Sequence, residues 1–498
     1  MDTRTPVLVG VGELADRVRD PSQGKEPLTL MAEALRAAEA DAGASLLGDV
    51  DSLDVIEEFS WPYFDAPALL SERIGARPAR AVYGVTGGES PVRYIHEAAI
   101  RIARGESEIA AVAGAEAQYT AAAAQKTGIE LPWAPRDNSR TLEGGDYLSP
   151  VVWKHQAVWP TQVYPFYDNA AQAAWGQTQR EALNESGEVW ADFAAVAAQR
   201  STAWVKSAPS ADAITTPDAG NRLIAWPYTK SMVANPLVNQ GAAVILTSLG
   251  KARALGIDES KLVFILGGAQ ANEPRDYLAR DQFHASHAQD VVLETAVAVA
   301  GGADGGVFSH LELYSCFPCV PKMARRTLGL PRNARMTVTG GLSFFGAPLN
   351  SYMLHAAVNM VQALRDSGEL GLLYGQGEYV TKHHALVLSR QAPDSAEPAY
   401  HQLTDGADAR RGDVPEMIDD YDGAAELETF TVSYDREGQP AFGIVIARTP
   451  DGRRLMARVP ASDEATIRRL TDLDGSPIGL AGRVNRLNEE LLGWTAAA

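Results

Sequence analysis

Thr86-Gly87-Gly88-Glu89-Ser90-Pro91 is echoed in the second half of the 498-residue chain by Thr339-Gly340-Gly341 and, shortly after it, Gly346-Ala347-Pro348. Each Thr-Gly-Gly closes a short apolar run and opens a loop that leads into an amphipathic stretch. A junction repeated at this distance predicts a duplicated α/β unit, and paired glycines there let backbone approach a ligand closely. The residues after each junction decide which chemistry the unit can carry.

Working outward, Val7–Val11, Leu53–Glu57, Ala81–Val85 and Ile109–Ala113 read as strands, and Val244-Ile245-Leu246-Thr247 as the last strand of the first half. Helical patterns at Leu28–Ala42, Ala66–Ile74 and Pro91–Arg104 alternate with them. The second half repeats the plan, with strands at Val263–Leu266, Leu311–Ser315, Met336–Val338, Leu372–Gly375 and Ala385–Leu388. Its helices are expected at Val291–Ala300, Val320–Leu328 and Ser351–Arg365. Such alternation predicts largely parallel sheets covered on both faces. Val92, Ile95, Ala99, Ile102 and Ala103 make one helical stripe, opened by Ser90 as N-cap and Pro91 in the first turn. Leu354, Ala357, Val358 and Val361 repeat that stripe, with Asn350 as cap. Both helices are expected between two sheets.

Three segments frame these halves. Residues 1–250 form the first half, in which the rhythm breaks over about 118–240. That insertion is rich in Trp, Tyr, Pro and Ala, and Ala191–Ala203 reads as its helix; such insertions commonly cover a site. Residues 251–392 form the second half. Residues 393–498 read as a linker to about Asp420, followed by a small β-rich domain with the shape of an open barrel. Its strands are Thr429–Tyr434, Phe442–Ala447, Leu455–Val459 and Gly479–Arg486, with a helix at Asp463–Leu470.

Composition excludes several function classes. Lys and Arg number 44 against 63 Asp and Glu, a net charge of −19, which argues against nucleic acid as a partner. No window has the length and apolarity of a membrane span, and the N-terminal apolar run is too short for a signal-peptide core. The expectation is an acidic cytoplasmic protein. The only cysteines, Cys316 and Cys319, form one C-x-x-C without the second pair of a four-thiolate zinc site. His284-Ala285-Ser286-His287 is too weak a pattern to add a metal, so neither a metal nor a resident cofactor is expected.

The duplicated halves, the insertion and the glycine junctions together resemble the thiolase superfamily over about residues 5–390. Gly114-Ala115-Glu116-Ala117 is similar to its G-x-E segment, and Val238-Asn239-Gln240-Gly241-Ala242-Ala243 to its S-D-G-A-A turn. Leu313-Tyr314-Ser315-Cys316-Phe317 falls where thiolases carry N-E-A-F or H-D-C-F, and Gly340 through Pro348 matches G-G-x-x-x-x-G-H-P. With its additional C-terminal domain, the chain is most similar to the sterol-carrier-type and type 1 thiolase-like proteins. The resemblance implies a five-layer α/β/α/β/α fold and a protein of lipid metabolism that handles an acyl-CoA or another acyl thioester, nominally as an acyltransferase. It also implies pairing of two copies through an edge strand of the first half. Trp133, Trp226, Tyr228 and Lys230 belong to the insertion that would cover a CoA tunnel.

The catalytic positions of that family do not carry over. The nucleophilic cysteine aligns with Glu89, its activating histidine with Ala347, the N-E-A-F position with Tyr314, and the second cysteine with Leu373 in Leu373-Tyr374-Gly375-Gln376-Gly377. Thiolysis or condensation through an acyl-cysteine is therefore not expected. Glu89 at a helix N-terminus reads as a general base, as a nucleophile forming an acyl anhydride, or as a carboxylate held by the helix end alone. Ser90 reads as an N-cap, or as a nucleophile if His355, His383 or His384 reaches it. His96 reads as a packed core residue. The candidate catalytic set is Glu89, Ser90, Tyr314 and His355. Gly87, Gly88, Gly340, Gly341, Cys316, Gly375 and Gly377 are the candidate substrate-binding residues. Two other function classes stay open: a catalytically silent scaffold for an acyl ligand or, through the C-terminal domain, a protein partner; and retro-Claisen or lyase chemistry at Glu89.

Overall fold

The structure is a computed structural model that describes residues 2–139 and 147–497. Residues 140–146 of the insertion lie outside it. Its centre is a ten-stranded mixed sheet. Nine of its strands run in the order Arg80–Tyr83, Ser52–Val55, Ile109–Ala117, Asn239–Ser248, Pro6–Ala15, Val263–Asn272, Lys382–Ser389, Leu370–Gly377 and His310–Leu313, and the tenth, Ala399–Gln402, pairs with Val263–Asn272 off that path. The two halves meet where Val7 and Leu8 pair with Phe264 and Val263. Outward from that seam each half repeats one pattern: first strand, antiparallel last strand, antiparallel next-to-last core strand, then a parallel neighbour. The duplication read from the glycine junctions is a duplication of topology.

Apolar alternation explains the layers. Val7 and Val9 pack with the core of the outer helix Pro27–Ala42, while Leu8 and Val11 join the core on the opposite face. A strand buried on both sides needs a continuous apolar run, and Val7–Val11 is one. Helices Ser90–Ala103 and Tyr352–Asp366 pack on each other and on strands of both halves. Pro27–Ala42 and His287–Val299 cover the two outer faces. This gives the expected five layers, with Ile95, Val92, Leu354 and Val358 buried in the middle one.

The insertion folds into helices, including Gln118–Thr127, Pro160–Ala174 and Gln179–Gln199. The expected helix at Ala191–Ala203 is the end of the last of these, which starts much earlier at a capping box formed by Thr178 and Glu181.

The C-terminal strands close rather than stay open. Gly423–Tyr434 bonds both Pro440–Arg448 and Ala481–Arg486; Pro440–Arg448 bonds Arg454–Pro460; and Leu492–Ala496 bridges Arg454–Pro460 to Ala481–Arg486. The result is a five-stranded barrel plugged by the buried Trp494, and its strand order is that of an OB-fold. Leu492–Ala496, which the sequence pattern does not mark, is the strand that closes it. Ser433 pairs with Ala225 of the insertion, so the barrel and the insertion share a sheet edge.

Two expectations need correction. Met336–Val338 is not a strand. Leu313 N–H donates to Met336 O at 2.9 Å, but the N–H groups of Val338 and Thr339 donate to the Glu312 carboxylate, which replaces a partner strand. The linker is partly core: Ala399–Gln402 adds a parallel strand beside Val263–Asn272, and Thr404–Asp408 follows as a helical turn.

Candidate functional site

Helix Ser90–Ala103 points its N-terminus at the junction between the halves. Glu89 occupies the N-cap, with Ser90 and Pro91 as the first helical residues. The Ser90 hydroxyl is buried and makes no hydrogen bond among the described residues, so it neither caps the helix nor meets a base there. Glu89 makes no side-chain cap either. Its carboxyl instead folds back into a cradle of glycines. A Cβ at Gly87 or Gly377 would overlap the carboxyl oxygens, and one at Gly375 would lie 2.8 Å from Glu89 Cα. Gly87 also needs its glycine for conformation, at φ 154°.

Glu89 is 7% exposed, and its Oε2 has no hydrogen-bond partner among the described residues. Burial is the main force on its acidity and pushes it up to about 7. Lys382 pulls it back, and Glu378 adds to the rise. The Tyr314 hydroxyl lies against Gly88, where a Cβ would overlap it. Burial drives the phenol well above its usual range, so it remains a proton donor.

A ring of polar contacts holds this cradle. Asn350 Oδ1 accepts from Gly87 N–H at 3.0 Å, and its amide donates to Glu57 O at 3.0 Å. Asn350 thus staples the first glycine junction to the second half instead of capping a helix; helix Tyr352–Asp366 starts after Ser351. Lys382 Nζ donates to Thr86 O at 3.2 Å and to Glu378 Oε1 at 2.7 Å. Arg275 closes on the same carboxylate with two bonds, at 2.7 and 2.8 Å. Glu378, Tyr379 and Val380 all have positive φ, at 48°, 59° and 63°. Three successive non-glycine residues in that region cost about 1–2 kcal/mol each. The turn is held by Val380 N–H donating to Gln376 Oε1, Tyr167 donating to Tyr379 O, and Arg280 donating to Val380 O.

The other expected site residues lie elsewhere. His355 Nδ1 bonds Glu13 Oε2 at 2.7 Å, beside Phe345 and Asn359, in a separate buried cluster. His383 Nδ1 bonds the Tyr374 hydroxyl at 2.7 Å, and His384 Nε2 bonds His96 Nδ1 at 3.0 Å. Burial lowers the basicity of His96 and His383 to about 3 and that of His384 well below the usual range. None of these rings is hydrogen-bonded to Ser90, so serine activation has no base. Cys316 accepts from Gln376 Nε2 at 3.3 Å, and burial pushes its thiol up to about 12. It is a neutral packing residue and not a thiolate. Gly340 and Gly341 face Ala197 and Phe193 of helix Gln179–Gln199, so this pair serves close packing of the insertion and not approach to a ligand.

Lys382, Glu378 and Asn350 are the site residues that sequence reasoning missed. Glu378 and Lys382 carried one available signal: an i, i+4 acid–base pair directly after the glycine-rich Gly375-Gln376-Gly377, too polar to be an ordinary buried turn.

Comparison with known proteins agrees with this architecture. Residues 408–489 match the additional C-terminal domain of type 1 thiolase-like proteins. The crystal structure of a monomeric SCP2-thiolase-like protein type 1 from Mycobacterium smegmatis superimposes with a TM-score of 0.83 at 29% identity, covering 100% of both chains. Human mitochondrial 3-ketoacyl-CoA thiolase in complex with CoA is similar at 15% identity and TM-score 0.56, over 79% of this chain and 100% of the other. Acetyl-CoA acetyltransferase from Syntrophomonas wolfei is similar at 13% identity and TM-score 0.55, over 78% and 100%. Comparison with curated protein sequences returns no match.

Proposed function

We propose that this chain, which has the full-length architecture of the type 1 thiolase-like proteins, binds an acyl thioester and acts on it by proton transfer at Glu89, without an acyl-cysteine. The supporting observation is the buried, unpartnered Glu89 Oε2 at a helix N-terminus, in the place where the resemblance puts a nucleophilic cysteine. A carboxyl raised to about 7 has a useful fraction of both forms near neutrality, which suits a general acid–base group. Glu89 takes the proton α to the thioester carbonyl, and the electron pair moves onto the carbonyl oxygen. The Tyr314 phenol, kept protonated by burial, is the donor for that oxygen. Reprotonation of the α-carbon by Glu89 completes an exchange in which no other bond is made or broken.

One observation favours a second reading. Glu89 and Tyr314 themselves fill the space around Gly87, Gly88 and Gly377, as in a silent scaffold whose cradle is closed by its own side chains.

The test is incubation with acetyl-CoA and acetoacetyl-CoA in heavy water. Deuterium at the α-carbon, free CoA and the intact mass of the protein are followed together. The proposal expects α-deuteration that Glu89→Gln removes, and no acyl adduct. No exchange in the native protein would support the scaffold, and thiolysis of acetoacetyl-CoA would show acyl-transfer chemistry instead.

A further inference from the structure

We propose that Glu378 is a positioning residue for Glu89. It holds Lys382 away from Glu89, so that Glu89 acts as a proton carrier and not as a fixed counter-ion. The inference rests on the reading of Glu89 as the proton-transfer group.

The geometry is a competition for one ammonium group. Lys382 Nζ donates to Thr86 O, next to the glycine at which a Cβ would overlap the Glu89 carboxyl. It is therefore beside that carboxyl, yet Glu89 Oε2 receives no hydrogen bond among the described residues. The ammonium bonds Glu378 Oε1 at 2.7 Å instead. Glu378 cannot swing away, because Arg275 binds both of its oxygens. It also directly follows Gly377, where a Cβ would overlap Glu89 Oε2. The left-handed run Glu378–Val380 brings this about: it returns the chain so that Lys382 pairs with Gly377 across the hairpin. Strain maintained by several bonds beside a reacting group is a mark of function. An extended or ordinary turn would cost less and would place the carboxylate elsewhere.

The other charged or titratable groups facing Glu89 are settled. Arg93, on the same helix, is paired with Glu97 at 2.7 Å. Tyr314, from the loop after His310–Leu313, and Tyr374, from Leu370–Gly377, are both phenols driven far above the usual range by burial. The Lys382–Glu378 pair is the variable left.

The test follows the protonated-carboxyl infrared band of the full-length protein, identified by its loss in Glu89→Gln, as pH is varied. The native midpoint is expected near 7. In Glu378→Gln the freed ammonium turns to Glu89, and the midpoint falls by about one pH unit or more, a tenfold change in the ionisation ratio. Lys382→Met raises the midpoint, and Glu378→Asp, which keeps the charge, stays nearer the native value than Glu378→Gln does. Circular dichroism of each variant checks that it is folded. Unmoved midpoints in both Glu378→Gln and Lys382→Met overturn the positioning role, as does a Glu89 band that never titrates. Shifted midpoints in a protein that exchanges no α-proton keep the positioning role and overturn the proton-transfer reading.

Discussion

Glu89 illustrates how a residue's chemistry is set by what surrounds it. A glutamate at a helix N-terminus is ordinarily held ionised by the helix dipole. Here burial outweighs the dipole, and the carboxyl titrates near 7 in place of its usual 4.5. The sign of the linkage follows. A folded-state value above the unfolded one contributes stability below pH 4.5, and that contribution is lost as pH rises through about 7. Replacing Glu89 with Gln should therefore change little at pH 5 and raise stability at pH 8, by up to about 3 kcal/mol. Urea unfolding of both proteins at the two pH values measures this; a difference of the opposite sign would place an ionised, paired carboxylate at this site. Glu116 is raised to about 7 by the same cause. Its oxygens accept from the N–H groups of Phe59 and Ser60, both at 2.8 Å, which gives the G-x-E segment a structural role.

At the scale of elements, the two Thr-Gly-Gly junctions diverge. The first opens helix Ser90–Ala103 and cradles Glu89. The second is tied by Thr339 and Glu312 and lies under helix Gln179–Gln199. Gly340 adopts φ 115°, and a Cβ there would overlap Ala197, backbone included. Gly340→Ala should therefore destabilise the protein by about 1–3 kcal/mol by forcing that helix outward, seen as a lower Tm. Gly438→Ala, in an open hairpin turn at φ 79°, meets nothing within 4 Å and should cost about 1–2 kcal/mol from conformation alone. Periodicity shows helices Pro27–Ala42 and Ala66–Ile74 almost to the residue, because one apolar stripe and a following glycine mark each. It fails at Met336–Val338, where a short apolar alternation looks like a strand. A buried carboxylate takes the backbone bonds there, and no local pattern encodes that.

Across the whole molecule, the barrel is fastened by a buried cation. Arg454 is fully buried; it binds Glu428 and donates to the carbonyls of Leu278 and Arg280 at 2.7 and 2.6 Å. Removing it leaves those acceptors short of a donor and Glu428 with Arg448 as its remaining basic partner. Breaking such a buried pair costs about 3–5 kcal/mol. Arg454→Met should loosen the barrel from residues 278–281, so that limited proteolysis releases a C-terminal fragment from folded protein; a native-like digestion pattern would argue against this fastening. Ala399–Gln402 belongs to the central sheet, and Ala399 O bonds His96 Nε2 at 2.9 Å.

The amino-acid sequence alone determined the duplicated α/β plan, the middle-layer helices and the appended domain. All of these follow from periodicity, spacing and the identity of single residues. Tertiary structure alone decided which side chains meet. It sent His355 to Glu13, Ser90 to an unpartnered position and Lys382 to Glu378, and it closed the barrel with its last strand. Those outcomes depend on contacts that no local pattern encodes, from the pair Glu378 and Lys382 to Glu13 and His355 at opposite ends of the duplicated unit, and on burial, which changes the acidity of a carboxyl without changing a letter of the sequence.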